Sequence, residues 1–200
     1  MRRSQTERSA ATQQALVSAA RELWGARGYA AVSTPEIAQA AGVTRGAMYH
    51  QYADKTRLFR AVLEAVERDL VERLAATVAA ERPKTPADAL HIAVDAWLEL
   101  SGEPEVRQVV LLDAPSVLGW AGFREVYQRY GLGMTEQLLS AAIESGELKP
   151  QPTRPLATIV IGALDEAAMS IANAEDPTSE KEEVRRVIHD LIEGLLMRGR

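Results

Sequence analysis

Ile37-Ala38-Gln39-Ala40-Ala41-Gly42-Val43-Thr44-Arg45-Gly46-Ala47-Met48-Tyr49-His50-Gln51-Tyr52 is the stretch that decides the fold of this chain. It reads as two short helices joined through Ala41-Gly42-Val43. A chain that leaves one helix and enters another within three residues needs a left-handed backbone conformation, and Gly42 supplies it without steric cost. Ala38 is small enough to let the two helices approach, and Ile37 and Val43 are apolar residues placed to pack inward. The outer face of the second helix is left free for a partner, which is the arithmetic of a helix-turn-helix. Thr44 offers a hydroxyl and a helix N-terminal amide suited to a phosphate oxygen. Arg45 carries a fork that matches guanine O6 and N7, and Gly46 lets the backbone come close to a duplex. Tyr49 and Lys55 present a hydroxyl and an ammonium toward flanking phosphates, while Met48 and His50 are placed for base edges or thymine methyl groups. Thr34, at the start of the preceding helix, completes the set of candidate DNA contacts.

Moving outward, Ser33-Thr34-Pro35-Glu36 has the form of a capping box, with Pro35 where a missing amide costs little. A first helix is expected from about Thr6 to Ala26, with Leu16, Ala19, Ala20 and Leu23 on one face and Gly28 as a left-handed terminator. Asp54 caps a fourth helix with the apolar row Leu58, Val62, Val66, Leu70 and Leu74. Arg82-Pro83-Lys84-Thr85-Pro86 interrupts it, and Thr85 and Pro86 start a fifth that runs to about Ser101. Pro104 and Pro115 bracket a short sixth. A seventh is expected over Gly122 to Ser145 with a kink near Gly131 and Gly133, since each glycine costs about 1 kcal/mol relative to alanine within a helix. After Pro150, Pro152 and Pro155 come an eighth from about Leu156 to Ala174 and a ninth from Glu180 to Met197. Ser179-Glu180-Lys181-Glu182 reads as its capping box, and Arg198 and Arg200 complement its C-terminal dipole. Strand patterning is absent, so the expectation is an all-α, nine-helix chain: a DNA-binding domain over 1–53 and a regulatory domain over 54–200.

The 200 residues are 46% apolar and 26% charged, which fits a packed globular protein and not a disordered or fibrous one. With no cysteine, disulfides, thiolate metal sites and a cysteine nucleophile are excluded. Met1-Arg2-Arg3-Ser4 leads into a polar run, so no signal peptide is expected. Arg154, Asp165 and Glu166 interrupt the most apolar stretch, so no membrane span is expected either, and the reading is a cytoplasmic protein. The net charge of −5 conceals an asymmetry: residues 1 to 60 carry nine Lys/Arg against four Asp/Glu, and the remainder is net acidic. A basic head on an acidic body suggests that the head meets a polyanion. Arg2 and Arg3 would then form a minor-groove arm.

The ordered set Ala20, Leu23, Gly28-Tyr29, Ile37-Ala38, Ala41-Gly42-Val43-Thr44, Gly46, Met48-Tyr49, Tyr52, Lys55 and Leu58-Phe59 resembles the TetR family of bacterial transcriptional regulators. The resemblance covers about a quarter of the chain. It departs from the family pattern at Val32, where many members carry threonine, and at Thr34, where an aliphatic residue is common. What it implies is a homodimer whose two heads read a pseudo-palindromic double-stranded DNA operator, with half-sites roughly 34 Å apart. It also implies a small-molecule effector that releases a repressor from that operator.

In the acidic body the apolar stripes Ile159, Ala163, Ala167 and then Val184, Ile188, Leu191, Leu195 are the candidate dimer interface. Trp97, Trp120, Phe123, Tyr127 and Tyr130, with His91, Asp113 and Asp165, are the candidate effector pocket. His50, His91 and His189 are too far apart for a helical metal pair, and no phosphate loop, nucleophile elbow or HExxH motif occurs. Neither a catalytic residue, a metal nor a cofactor is therefore expected. The alternative from another class is a dimeric ligand- or protein-binding module that has lost operator recognition, against which Arg45, Tyr49 and Lys55 speak.

Overall fold

The computed structural model describes residues 5–197, so Arg2, Arg3, Arg198 and Arg200 lie outside the described residues. Among the described residues it is 83% helical, with no strand and eight helices rather than nine. These are α1 (Gln5–Arg27), α2 (Thr34–Ala40), α3 (Arg45–Gln51), α4 (Lys55–Glu81), α5 (Pro86–Ser101), α6 (Ala114–Glu144), α7 (Thr153–Asn173) and α8 (Pro177–Leu195). The expected sixth helix is a single turn, Pro104–Val106, that runs into a π-helical stretch, Arg107–Asp113, and continues into α6.

Two starts and one kink differ from the expectation. Pro115 does not break the chain; it is the second residue of α6, directly after the π-helical stretch. The break in α6 falls at Gly119, whose φ of 66° and ψ of 168° are open to glycine alone; Gly131 and Gly133 stay within the helix. α8 begins at Pro177, three residues before the expected start at Glu180. The Asp176 carboxylate accepts from the amides of Thr178 and Ser179, which leaves Ser179 inside the helix. Thr85 does form a full capping box, but with Asp88 as its acidic partner.

The chain divides into two compact units that are not continuous in sequence. The first contains the chain through Glu67 together with Pro104–Val126, and the second contains Arg68–Glu103 and everything from Tyr127 onward. The expected boundary at residue 53 falls inside the first unit. α4 belongs to both.

The core of the first unit is built on Leu16, Trp24, Ile37, Met48, Leu58, Phe59 and Leu63, all fully buried. Trp24, Tyr29 and Phe59 form an aromatic trio with ring centroids 5.2 to 5.5 Å apart. Trp24, absent from the expected stripe of α1, anchors that helix beside Leu16 and Ala20. A buried aromatic of this size contributes more than any alanine on the same face.

The second unit packs Leu90, Leu132, Leu139, Leu148 and Ile161 into one cluster and Val94, Leu98, Leu164, Ile188 and Ile192 into another. Along one seam α5 and α8 are laced by charge. Lys181 pairs with Glu99, Arg185 and His189 both meet Asp95 at 2.8 Å, and His91 meets Glu193 at 2.9 Å. The α8 members recur every fourth residue, so they form one row on its surface. α7 passes as long and apolar enough to cross a membrane by length and composition, contrary to the expectation from its charges. Arg154 sits in its first turn, and Asp165 and Glu166 are adjacent, which leaves the rest of the helix apolar. Few of its residues are buried within the single chain.

Candidate nucleic-acid interface

The turn between α2 and α3 closes as a Schellman motif. The amide of Val43 donates to Ala38 O at 2.9 Å and that of Gly42 to Gln39 O at 3.0 Å, with Gly42 at φ +66°. A Cβ at Gly42 would meet nothing within 4 Å, so the requirement for glycine is torsional. Ser33 caps α2 by accepting from the Glu36 amide, and the Glu36 carboxyl is held below its ordinary value by Arg27, helped by the Ser33 backbone amide. The Arg27 guanidinium also donates to Ala31 O at 3.1 Å. The acidic member of the capping box also fastens α2 to the end of α1. Thr44 caps α3, its hydroxyl accepting from the Ala47 amide at 3.1 Å.

These caps leave Thr44, Arg45, Gly46, Tyr49 and His50 exposed on α3. Thr34, half-buried at the start of α2, lies 3.1 Å from the Tyr49 hydroxyl through its Oγ1. The Arg45 guanidinium sits 5.6 Å from the Tyr49 ring centroid. Hydrogen bonding to Thr34, and then to Arg45, draws the Tyr49 phenol below its ordinary value. The result is a polar, cationic face on a rigid helix, with backbone exposed at Gly46.

Two expected contacts are corrected. Met48 is fully buried in the core of the first unit, so it cannot touch a base edge. Lys55 is half-buried and engaged with the loop that follows α1 instead of standing free for a phosphate. Its ammonium donates to Tyr29 O at 2.6 Å and lies 4.0 Å from the Tyr29 ring centroid. Burial lowers its pKa against the opposing pull of Asp113.

The eight residues expected to line an effector pocket fall in different units. Asp113, Trp120 and Phe123 belong to the first; His91, Trp97, Tyr127, Tyr130 and Asp165 belong to the second. Asp113 is engaged with the backbone of Tyr29, Phe123 is buried, and Trp120 is 68% exposed beneath the Arg124 guanidinium. His91 stacks on His189 at 4.5 Å. Trp97 donates through its indole N–H to Leu164 O at 3.3 Å, one residue before Asp165. Burial alone pushes the Asp165 carboxyl up to about 7. A shallow groove of about 440 Å³ runs along α6, lined by Gly133, Glu136, Gln137, Ser140, Ala141 and Glu144, none of them an expected pocket residue.

Of the expected interface residues, Ile188 is 8% exposed and forms part of the second unit's core, since it faces α5 and α7. It is therefore not available to a second chain. Ala167, Val184 and Leu195 are half-buried against the same unit, whereas Ile159, Ala163 and Leu191 are exposed, as is Val187.

A capped helix pair whose second helix is exposed and carries Arg45, on an all-α chain, defines the helix-turn-helix class of DNA-binding regulators. Comparison with known proteins specifies the family. Residues 16–62 match the family described as bacterial regulatory proteins, tetR family, and residues 87–195 match the family described as tetracyclin repressor-like, C-terminal domain. The chain is 25% identical over 178 residues to the transposon Tn10 TetC protein of Escherichia coli, covering 88% of each. A TetR-family transcriptional regulator from Pectobacterium atrosepticum, known by crystal structure, is 31% identical. It superimposes with a TM-score of 0.82 over 99% of this chain and 100% of that one. RolR, solved in complex with resorcinol, shares the fold at 18% identity, with a TM-score of 0.75 over 94% of this chain and 90% of that one. The chain belongs to the TetR family of transcriptional regulators. It is accordingly a DNA-binding transcription factor and not an enzyme.

Proposed function

We propose that the protein is a homodimeric, cytoplasmic repressor that binds a pseudo-palindromic operator and leaves it when a small-molecule effector binds the second unit. The observation that carries this reading is the apolar face left open on α7 and α8. Ile159, Val187 and Leu191 are 69, 51 and 59% exposed, on helices whose opposite sides supply the unit's core. Large aliphatic side chains at this exposure on neighbouring helices mark an association surface. A second copy of the same face buries it and brings two reading heads to one duplex.

The DNA contacts proposed are Thr34, Thr44, Arg45, Gly46, Tyr49 and His50. The effector site proposed is built on Trp97, Tyr127, Tyr130 and Asp165. Asp165 supports it as a carboxyl inside an apolar helix pair, beside the carbonyl that orients the Trp97 ring. RolR, of similar fold, is a precedent for a small aromatic ligand. Effector and DNA then oppose one another by the same factor, because binding linkage is reciprocal.

Sedimentation of the wild-type chain and of Leu191→Glu, each with and without an operator duplex, tests the reading. The expected result is a wild-type dimer and two chains per duplex, with a folded Leu191→Glu monomer that binds DNA at least a hundredfold more weakly. A wild-type monomer at micromolar concentration would reject it.

A further inference from the structure

Outside α3, the feature of the head that calls for a function is the way the peptide of Tyr29 is held. Tyr29 follows Gly28, whose φ of +78° turns the chain out of α1. Its N–H donates to Asp113 Oδ2 at 2.7 Å and its C=O accepts from Lys55 Nζ at 2.6 Å. Its ring lies under the Lys55 ammonium and edge-on to Phe59, and its hydroxyl is 3.1 Å from Thr56 Oγ1. Both backbone groups of one loop residue are therefore satisfied by side chains of opposite charge. One comes from the first residue of α4, the other from a segment 84 residues away in sequence. That segment is fixed to α1 a second time, since Arg21 pairs with both oxygens of Glu105 at 2.6 and 2.7 Å. It also fits closely: a Cβ on Gly28 would come within 2.9 Å of Gln108 Nε2.

We propose that Asp113 and Lys55 are positioning residues for DNA recognition, which clamp the Tyr29 peptide and thereby set where α2 begins and how α3 is presented. The chain of contacts is short. Tyr29 leads through Ala31, whose carbonyl Arg27 holds, to the Ser33 cap and Thr34, and Thr34 touches Tyr49 on the DNA-facing surface. Both clamping side chains are partly buried and engaged with the Tyr29 backbone. Asp113 is an acceptor that would repel phosphate, and the Lys55 ammonium is committed to a carbonyl. Charge-assisted bonds of this kind are stronger than neutral ones, so the Tyr29 peptide is held by the segment 104–113 and by the first residue of α4 together. The inference rests on α3 as the helix that faces DNA.

Salt dependence separates positioning from contact. Each phosphate neutralised by a lysine contributes about 0.9 to the slope of log K against log salt, and a positioning residue contributes none. The probe is a duplex selected from random-sequence DNA by the wild-type chain, measured by fluorescence anisotropy across a salt series. Asp113→Ala and Lys55→Met are expected to raise Kd about tenfold or more, leave the slope unchanged, and speed exchange of the Tyr29 amide. Asp113→Asn, which keeps an acceptor for that amide, is expected to restore most of the affinity even if Asp113→Ala fails to fold. A slope reduced by about one in Lys55→Met would overturn the proposal by making that lysine a phosphate contact. So would unaltered affinity in both variants alongside faster Tyr29 exchange. Arg45→Ala keeps the two readings apart: if it too binds the selected duplex as wild type does, α3 is not the reading helix and the inference falls with that assignment.

Discussion

Thr34 Oγ1 and the Tyr49 hydroxyl lie 3.1 Å apart, which ties the first residue of α2 to the exposed face of α3. The bond fixes the direction of the Tyr49 phenol before any DNA arrives. Rotamer entropy that a free tyrosine loses on binding has already been spent in folding. Tyr49→Phe is expected to weaken operator binding about tenfold, and Thr34→Val about threefold, at the scale of a neutral hydrogen bond. In a double-mutant cycle the two losses should be less than additive, because both remove the same bond. Full additivity would show that Thr34 and Tyr49 act separately on DNA.

Gly46 lies in the first turn of α3, and a Cβ placed on it would come no nearer to the protein than 3.9 Å, at Thr44 Oγ1. Nothing within the chain therefore requires glycine there, and no unusual torsion does either. Gly46→Ala is expected to leave the melting temperature the same or slightly higher, since alanine is the better helix former. Operator affinity should nevertheless fall, because the added methyl occupies the space through which backbone approaches the duplex. Calorimetry and anisotropy on the same preparation would check both halves.

Met48 illustrates the opposite separation of stability from recognition. It is fully buried among apolar side chains of the first unit, and truncating such a residue costs about 2–5 kcal/mol. Met48→Ala should lower the unfolding free energy from a urea titration by that scale and leave base preference unchanged in the fraction that stays folded. Met48→Leu, close in volume, should cost less than about 1.5 kcal/mol. A change in selected sequence with either variant would contradict the inward orientation.

Asp165 gives the second unit a pH dependence of definite sign. Burial pushes its carboxyl up to about 7 from an ordinary value of 3.8, so the folded state holds a proton that the unfolded state has released. Stability from this group is complete below about pH 4 and declines as pH rises to about 7. Asp165→Asn should flatten the pH profile of thermal unfolding across that window and raise the melting temperature at pH 7.5. An unchanged profile would mean that solvent reaches the carboxyl.

The helix-turn-helix was legible because its signals are local. Gly42, the Ser33 and Thr44 caps and the apolar positions Ile37 and Val43 each act within a few residues, and the structure places them as their chemistry requires. The burial of Met48 was not legible, since which face of a seven-residue helix is covered depends on α1 and α2. Neither was the engagement of Lys55, which depends on the Tyr29 carbonyl. Periodicity alone does not reveal those partners. The same holds for Ile188. Its stripe on α8 was read correctly as apolar, but the stripe is wide enough to serve two surfaces, and Ile188 falls on the side of α5 while Val187 and Leu191 fall on the other. The π-helical stretch had no sequence signal, and Pro115 and the glycines suggested breaks that Gly119 alone provides. Asp113 was noticed for its place among aromatic residues, although its use is backbone capture at Tyr29.

The most direct test is equilibrium binding of the full chain to its selected duplex and to a scrambled duplex of the same composition, by fluorescence anisotropy from 50 to 300 mM salt. The expected result is two chains on the selected duplex, a preference of about a thousandfold or more, and affinity that falls steeply with salt. Equal affinity for both duplexes at every salt concentration would contradict sequence-specific reading by α3.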